Sequence, residues 1–480
     1  MNQGNAGVAD FEQGCHLLAQ GELHAALTVF DQLLAADDQD WQSRANRALI
    51  HYRLGAFDKA LDDYCLALAI KPDAVNLLVN FAVLLKELGQ LDTAESLLVQ
   101  ALQLDPAHAD AWSNLGIVRV YRLQYDQGAQ CHVRAIELAG DSPARWTNLG
   151  NALTGGLYLN EAVEAYGNAL QLAPDYHEAR YNQSIPLFML GRYREAWPLY
   201  ESRWQTILTP RFTERRWQGE PLGQDCLLIW SEQGLGDCLQ MARFLPLLRA
   251  THPEARLVLA CPASLHRLFA SLSGIELIEA TDSVPFDWQL PMASLPGIFQ
   301  TEIDQLPVLP YLAADPQRVA QWAERLPARQ PGKRRVGLVW QSGVWGVGAQ
   351  DLTRQYKSIE PGLLQCLLPL ADFVSLWPGA LPDSWQGHVH APAIQDFADT
   401  AALIAQLDLV LCVDTAVAHL AGAMGHPVWL LMRQEGAPFF GVTGEQAPWY
   451  PSIRVLRQPV AGDWLPVLAQ VQRQLQDMQG

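Results

Sequence analysis

The chain has no cysteine pair at the spacing of a metal knuckle or a disulfide framework. Its eight cysteines (Cys15, Cys65, Cys131, Cys226, Cys238, Cys261, Cys366 and Cys412) are scattered without a Cys-x-x-Cys, which argues for reduced thiols. A long apolar run is also missing. The longest stretch, Thr400 to Val413, is broken by Gln406 and Asp408 and falls short of the roughly 20 residues that cross a bilayer. The opening MNQGNAGVADFEQG has no basic region followed by an apolar core, so no secretory signal is expected and the expected location is the cytoplasm. Positive charge is scarce: 33 Lys and Arg stand against 51 Asp and Glu, a net charge of −18. Such a surface repels nucleic acid and anionic lipid, so neither is expected as a partner. What is present is apolar enough to fold. The 480 residues are 49% hydrophobic and 9% aromatic, which excludes disorder as the main state and provides for two to four domains at about 100–200 residues each.

The first half is periodic. A small residue recurs every 34 positions, at Ala26, Ala60, Ala94, Gly128, Ala162 and Ala196, and four positions later stand Phe30, Tyr64, Leu98, His132, Tyr166 and Tyr200. Proline falls in phase at Pro72, Pro106 and Pro174, with Gly140 at the missing place, and Gly21, Gly55, Gly89 and Gly191 mark a turn. The small residue lets two helices approach, the large one fills the groove beside it, and proline stops the second helix. This pattern resembles the tetratricopeptide repeat, a helix–turn–helix unit, and six units imply an α-solenoid over residues 1–210. Asn46, Asn80, Asn114, Asn148 and Asn182 are also 34 apart. A ladder of amides along an inner face suits the backbone of an extended acceptor peptide, and inter-helix structural hydrogen bonds are the alternative.

After residue 210 the pattern alternates short apolar strands with helices. Strands are expected at Cys226–Trp230, Arg256–Ala260, within Asp287–Ser294, at Arg335–Trp340, Phe373–Leu376, Leu409–Val413 and Val428–Met432, with an extended exit at Val308–Leu312. Helices are expected at Cys238–Ala250, Ala263–Leu272, Glu360–Leu368, Phe397–Leu407, Ala416–Met424 and Trp464–Met478. Alternation of this kind means parallel sheets covered on both faces. The Pro/Arg-rich stretch 327–334 divides this half into 211–330 and 331–480.

Three blocks carry a resemblance: Glu232-Gln233-Gly234-Leu235-Gly236-Asp237, Val336-Gly337-Leu338-Val339-Trp340, and Asp408 through Gly425 with its Asp414-Thr415-Ala416-Val417-Ala418-His419 core. They resemble the heptosyltransferase-like glycosyltransferases of GT-B fold, and the whole chain is similar to bacterial proteins that join tetratricopeptide repeats to such a domain. The resemblance implies two Rossmann-like domains, acceptor-side at 211–330 and nucleotide-sugar-side at 331–480. It also implies transfer to a protein acceptor, flagellin among the candidates. It makes Asp237 the candidate general base, with Gly234, Gly236, Gln240 and Arg243 at the acceptor-side cleft. It places Trp340, Ser342, Gly343 and Lys357 (Arg354 being the alternative cation) with Asp414, Thr415 and His419 at the donor.

The residues agree chemically. Asp414-Thr415 ends a strand and opens a helix, where amides and a hydroxyl meet a positive terminus suited to phosphate. Asp414 is negative and suits a sugar hydroxyl or an orienting role. A plain helix-capping role is the alternative for both Asp237 and His419. No Asp-x-Asp occurs from Arg211 to Gly480, so no metal and no resident cofactor are expected, only the nucleotide-sugar co-substrate. A scaffold whose transferase-like domain has lost chemistry, and transfer to a lipopolysaccharide or other glycan, are the competing functions.

Overall fold

The structure, a computed structural model, describes residues 3–282, 284–307, 310–343 and 351–478. Twelve helices fill the first 200 residues: α1 Gln3–Ala19, α2 Leu23–Ala36, α3 Trp41–Arg53, α4 Phe57–Ile70, α5 Val75–Glu87, α6 Leu91–Leu104, α7 Ala109–Tyr121, α8 Tyr125–Ala139, α9 Pro143–Gly155, α10 Leu159–Leu172, α11 His177–Met189 and α12 Tyr193–Tyr200.

The 34-residue phase is now geometry. Ala26, Ala60, Ala94, Ala162 and Ala196 are fully buried, and so, to within a few per cent, are the large residues four positions on. At Gly128 a methyl group would lie 2.8 Å from Val120 Cγ2 and 3.1 Å from the Gly116 carbonyl oxygen, so only a residue without a side chain fits. Gly21, Gly55, Gly89 and Gly191 turn the chain with φ between +73° and +80°. Leu123 and Leu157 hold the same position in the repeats that lack the glycine, at φ +62° and +65°. Packing of the flanking helices imposes the left-handed turn even where a side chain makes it cost about 1–2 kcal/mol.

The described residues form two compact units, one of residues 3–156 with 351–352 and one of residues from 157 to 343 with 353–478. Helices α10–α12 therefore fold with the α/β half. There Phe188, Tyr193, Trp197 and Tyr200 belong to the same buried core as Leu227, Ile229 and Val410.

Two sheets build that half. In the first, β1 Cys226–Trp230, β2 Arg256–Cys261, β3 Ile275–Glu279 and β4 Trp288–Pro291 lie parallel in the order β3-β2-β1-β4. The second contains β5 Arg335–Val339, β6 Asp372–Ser375, β7 Val389–His390, β8 Leu409–Val413, β9 Val428–Met432, β10 Gln446–Ala447 and β11 Tyr450–Arg457. Its order is β10-β11-β9-β8-β5-β6-β7, with only β10 and β11 antiparallel among the described residues. Strands β1, β5 and β8 are buried on both faces, as parallel strands under helices must be. The helix expected at Cys238–Ala250 is broken into Leu235–Met241, a 3₁₀ turn Ala242–Phe244 and Leu245–Thr251. Pro246, in the first turn of the last piece, cannot donate to an earlier carbonyl and so restarts the helix. Part of the extended exit expected at Val308–Leu312 lies outside the described residues.

Candidate functional site

Strand β1 delivers the chain to a tight loop, Ser231–Gly234, from which the helix Leu235–Met241 begins. Gln233 takes φ +59° there, a conformation costly for a residue with a side chain. Asp237 sits in the first turn of that helix, and its Oδ2 accepts the Gly234 N–H at 2.9 Å. The helix-start role is thus present. It engages one carboxylate oxygen only; Oδ1 has no hydrogen-bond partner among the described residues. Burial pushes the Asp237 carboxyl up to about 6. The Gly234 amide and Lys357 act against that rise, and the Asp414 and Glu232 carboxylates reinforce it.

The helix packs on a second one, Ala416–Ala423, which follows β8. Gly236 makes the approach possible, since a methyl there would lie 3.0 Å from His419 Cδ2 and 3.5 Å from the Ala416 Cα. Gly422 does the same on the far side, where a methyl would collide with the Tyr450 ring at 2.6 Å. Asp414 leaves the end of β8 and takes the Lys357 ammonium at 2.7 Å. Burial opposes its ionisation, but Lys357 holds the carboxyl below the usual range. Thr415 is the N-cap of the second helix, and its side chain makes no capping bond. Its Oγ1 is buried and unpartnered among the described residues, at a helix start whose first amides have no acceptor within the helix.

His419 is buried. Its Nδ1 lies 3.1 Å from the Tyr450 hydroxyl and its ring packs on Phe440 at 4.9 Å. Burial pushes the imidazole down to about 4, so it is neutral at physiological pH, with Nε2 on the side of Gly236.

Of the other expected residues, Arg243 lies close enough to His419 to help lower its pKa, and Gln240, Trp340 and Ser342 are buried. Arg243 is fully buried rather than lining an open cleft. Its Nη2 donates to the Trp449 carbonyl at 2.6 Å, and the rings of Tyr450, Tyr311 and Trp449 enclose the guanidinium at 5.0–5.3 Å. Gln240 is equally buried. Trp340 belongs to the core, edge-on to Trp385 at 4.6 Å, because the end of β5 turns it inward. Ser342 is buried and donates its N–H to the Ser358 hydroxyl at 3.1 Å, while Gly343 is exposed. The Arg354 side chain lies outside the described residues. Among the described residues no three His, Cys, Asp or Glu side chains converge as a metal site requires.

In the first unit, a groove of about 620 Å³ is lined by Asn46, Asn80, Asn114 and Asn148 with Trp41 and His108. The amide nitrogens of Asn46 and Asn114 donate to the carbonyls of Gln42 and Asp110 in their own helices, and that of Asn148 reaches the Ser113 hydroxyl at 3.4 Å. Asn182 lies in the second unit.

Two features had no functional reading from sequence. Tyr450 fixes His419, and Arg203 forms a buried ion pair with Glu232. Glu232 stands inside the Gly-rich block, but nothing in sequence spacing names a partner 29 residues upstream.

A repeat solenoid followed by an α/β half with a strand–loop–helix turn at Asp414–Thr415 defines a class, and comparison with known proteins defines it further. Residues 11–75 and 79–120 match the tetratricopeptide repeat, and residues 393–458 match glycosyltransferase family 9 (heptosyltransferase). The chain carries both. The second match contains Asp414, Thr415, His419 and Tyr450; Asp237 and Lys357 lie outside it. The chain is similar to Protein FlbA of Caulobacter vibrioides, 30% identical over 339 residues, or 63% of this chain and 56% of that protein. It thus spans little more than half the length of that relative. Among solved structures it is similar to PilF of Pseudomonas aeruginosa, with 17% identity over 44% of this chain and 96% of that one, TM-score 0.39. A thermophilic tetratricopeptide-repeat protein of Thermus thermophilus aligns with 24% identity over 37% of this chain and 97% of that one, TM-score 0.33.

Proposed function

We propose that the chain is an inverting, metal-independent glycosyltransferase that moves a sugar from a nucleotide-sugar to a protein acceptor recruited by the repeats, with flagellin Ser/Thr hydroxyls as the first candidate. One observation carries the reading: a carboxylate with an uncommitted oxygen, raised to about 6, in the same electrostatic cluster as Lys357, Asp414 and His419. That cluster adjoins an unpartnered N-cap hydroxyl in the family-matched segment.

In this mechanism the donor diphosphate lies at the N-terminus of Ala416–Ala423. The Thr415 hydroxyl and the helix-end amides donate to it, and Lys357 adds positive charge while still paired with Asp414. The acceptor hydroxyl attacks the anomeric carbon as Asp237 Oδ1 takes its proton. The bond to the diphosphate breaks, and the electron pair leaves with the nucleotide. One displacement inverts the anomeric centre. A pKa near 6 suits a base at neutral pH, ionised yet basic enough to accept the proton. Neutral His419 offers Nε2 without adding charge.

The test incubates purified protein with flagellin and a panel of UDP-, ADP-, GDP- and CMP-sugars, with and without EDTA, and follows nucleotide release. Acceptor-dependent release that survives EDTA supports the proposal. Donor binding without release from any member, or release that chelation stops, refutes it; binding alone favours the scaffold reading.

A further inference from the structure

We infer that Arg203, at the end of the last repeat, is a positioning residue that holds the Asp237 loop in its working shape through Glu232. The inference rests on the reading of Asp237 as the base. After α12 the chain makes a 3₁₀ turn, Glu201–Gln205, and Arg203 points from it into the interior with no solvent exposure. Its fork grips Glu232 through Nε to Oε2 at 2.9 Å and Nη2 to Oε1 at 2.8 Å. The remaining donors reach the Ser294 hydroxyl at 2.7 Å and Glu201 at 2.5 Å. Glu232 Oε1 also accepts the Ala293 N–H at 3.1 Å, tying the loop after β1 to the turn after β4. The next residue is the left-handed Gln233, whose Nε2 donates to the Tyr200 hydroxyl at 2.8 Å. Gly234 follows, with its N–H on Asp237. Each residue from 232 to 234 is thus fixed from one side, and two of the fixing groups, Tyr200 and Arg203, come from the final repeat.

A buried ion pair adds little net stability over well-packed apolar side chains. What a bidentate fork supplies is orientation, and orientation is what a loop holding an unfavourable φ one residue before a helix start requires. Without the clamp Gln233 can relax, and Asp237 then moves with the helix terminus it caps.

The test uses the full-length protein with Arg203→Lys, which keeps the charge but not the fork, Glu232→Gln, which keeps the shape, and the milder Tyr200→Phe. Hydrogen–deuterium exchange is read for the segment 231–237 and for β8 as an internal control, and kcat and KM are read by nucleotide release from the UDP-, ADP-, GDP- and CMP-sugar panel. The expected result is faster exchange confined to 231–237, with kcat lowered roughly 10- to 100-fold and KM little changed, as for displacement of a catalytic group by about 1 Å. Tyr200→Phe should give the same pattern at a few-fold scale, which keeps the test open if the first two variants fold poorly. Unchanged exchange at 231–237, or wild-type kcat despite faster exchange, overturns the inference. A fully active Asp237→Asn tested alongside removes the base assignment instead, and the exchange data still decide whether Arg203 holds the loop.

Discussion

Asp237→Asn separates base catalysis from structure in a single substitution. The amide oxygen can still accept the Gly234 N–H that Oδ2 accepts now at 2.9 Å, so the helix start is kept. What disappears is a carboxyl with a pKa of about 6 in the folded protein against an ordinary value near 3.9 in the unfolded chain. The folded state therefore holds the proton more tightly. Ionisation costs the fold nothing below pH ~4, increasingly more through the window of roughly 4–6, and its full amount above pH ~6. At about 1.4 kcal/mol per pH unit between the two values, the cost at pH 7 is on the order of 3 kcal/mol. That cost is already net of the carboxylate's favourable interaction with the Gly234 amide at the helix start. The variant should therefore resist urea better than wild type at pH 7, by on the order of 3 kcal/mol, and should have no advantage at pH 4. Nucleotide release should fall by ~10²–10⁴, the range for loss of a positioned base. In the wild type, kcat/KM should fall about tenfold per pH unit below pH ~6. Release within a few-fold of wild type refutes the base role. A stability gain that persists at pH 4 refutes the electrostatic account.

Thr415→Ala should weaken donor binding about 5- to 10-fold by calorimetry, the loss of one hydrogen bond near 1 kcal/mol; unchanged affinity places the diphosphate elsewhere. Lys357→Met removes the cation that lowers both Asp414 and Asp237, so the acid limb of kcat/KM should move to higher pH, and an unmoved limb contradicts the cluster. Asn114→Ala with Asn148→Ala should raise KM for a protein acceptor roughly 10- to 30-fold while leaving kcat and turnover of a short peptide unchanged; normal KM with a lowered melting temperature makes the asparagines structural. Gly55→Ala, at φ +73° with open space around it, should cost about 1 kcal/mol in urea denaturation from backbone strain alone. Gly116→Ala, whose methyl would meet the His132 ring at 2.6 Å, should cost more, about 1–3 kcal/mol.

The repeat half was legible because every unit repeats one packing problem: a small residue, a large one four positions on, and a turn. Even the turns at Leu123 and Leu157, which lack the signal residue, follow from the period. The buried parallel strands β1, β5, β8 and β9 were legible as continuous apolar runs. Strand β3 was missed because its Ile275-Glu276-Leu277-Ile278-Glu279 sequence is half polar, as an edge strand can be. Strand β11 was missed because it opens with Tyr450-Pro451-Ser452, and proline signals against a strand. At the site, the glycines of the Gly234–Gly236 turn were legible as a place of close approach, which Gly236 shows against His419, whereas Asp237 and Asp414 were singled out by resemblance. Arg243 was expected to line an open cleft but is buried against the Tyr450 ring beside His419, because a helical position alone does not say which neighbour a long side chain meets. Three rings from distant segments enclose it. Trp340 was assigned to the donor by resemblance, whereas the exit of β5 turns its indole into the core. The Arg203–Glu232 clamp depends on a contact between halves that read as separate domains, and no local pattern encodes it.

The central claim is that this chain transfers a sugar to a protein with Asp237 as base. Its most direct test is intact-mass spectrometry of flagellin co-expressed with the wild-type chain and, in parallel, with Asp237→Asn. The account predicts a discrete glycosyl mass increment with the wild type and unmodified flagellin with the variant at equal expression. The same increment with both, or none with either while the wild-type chain binds flagellin tightly, would contradict it.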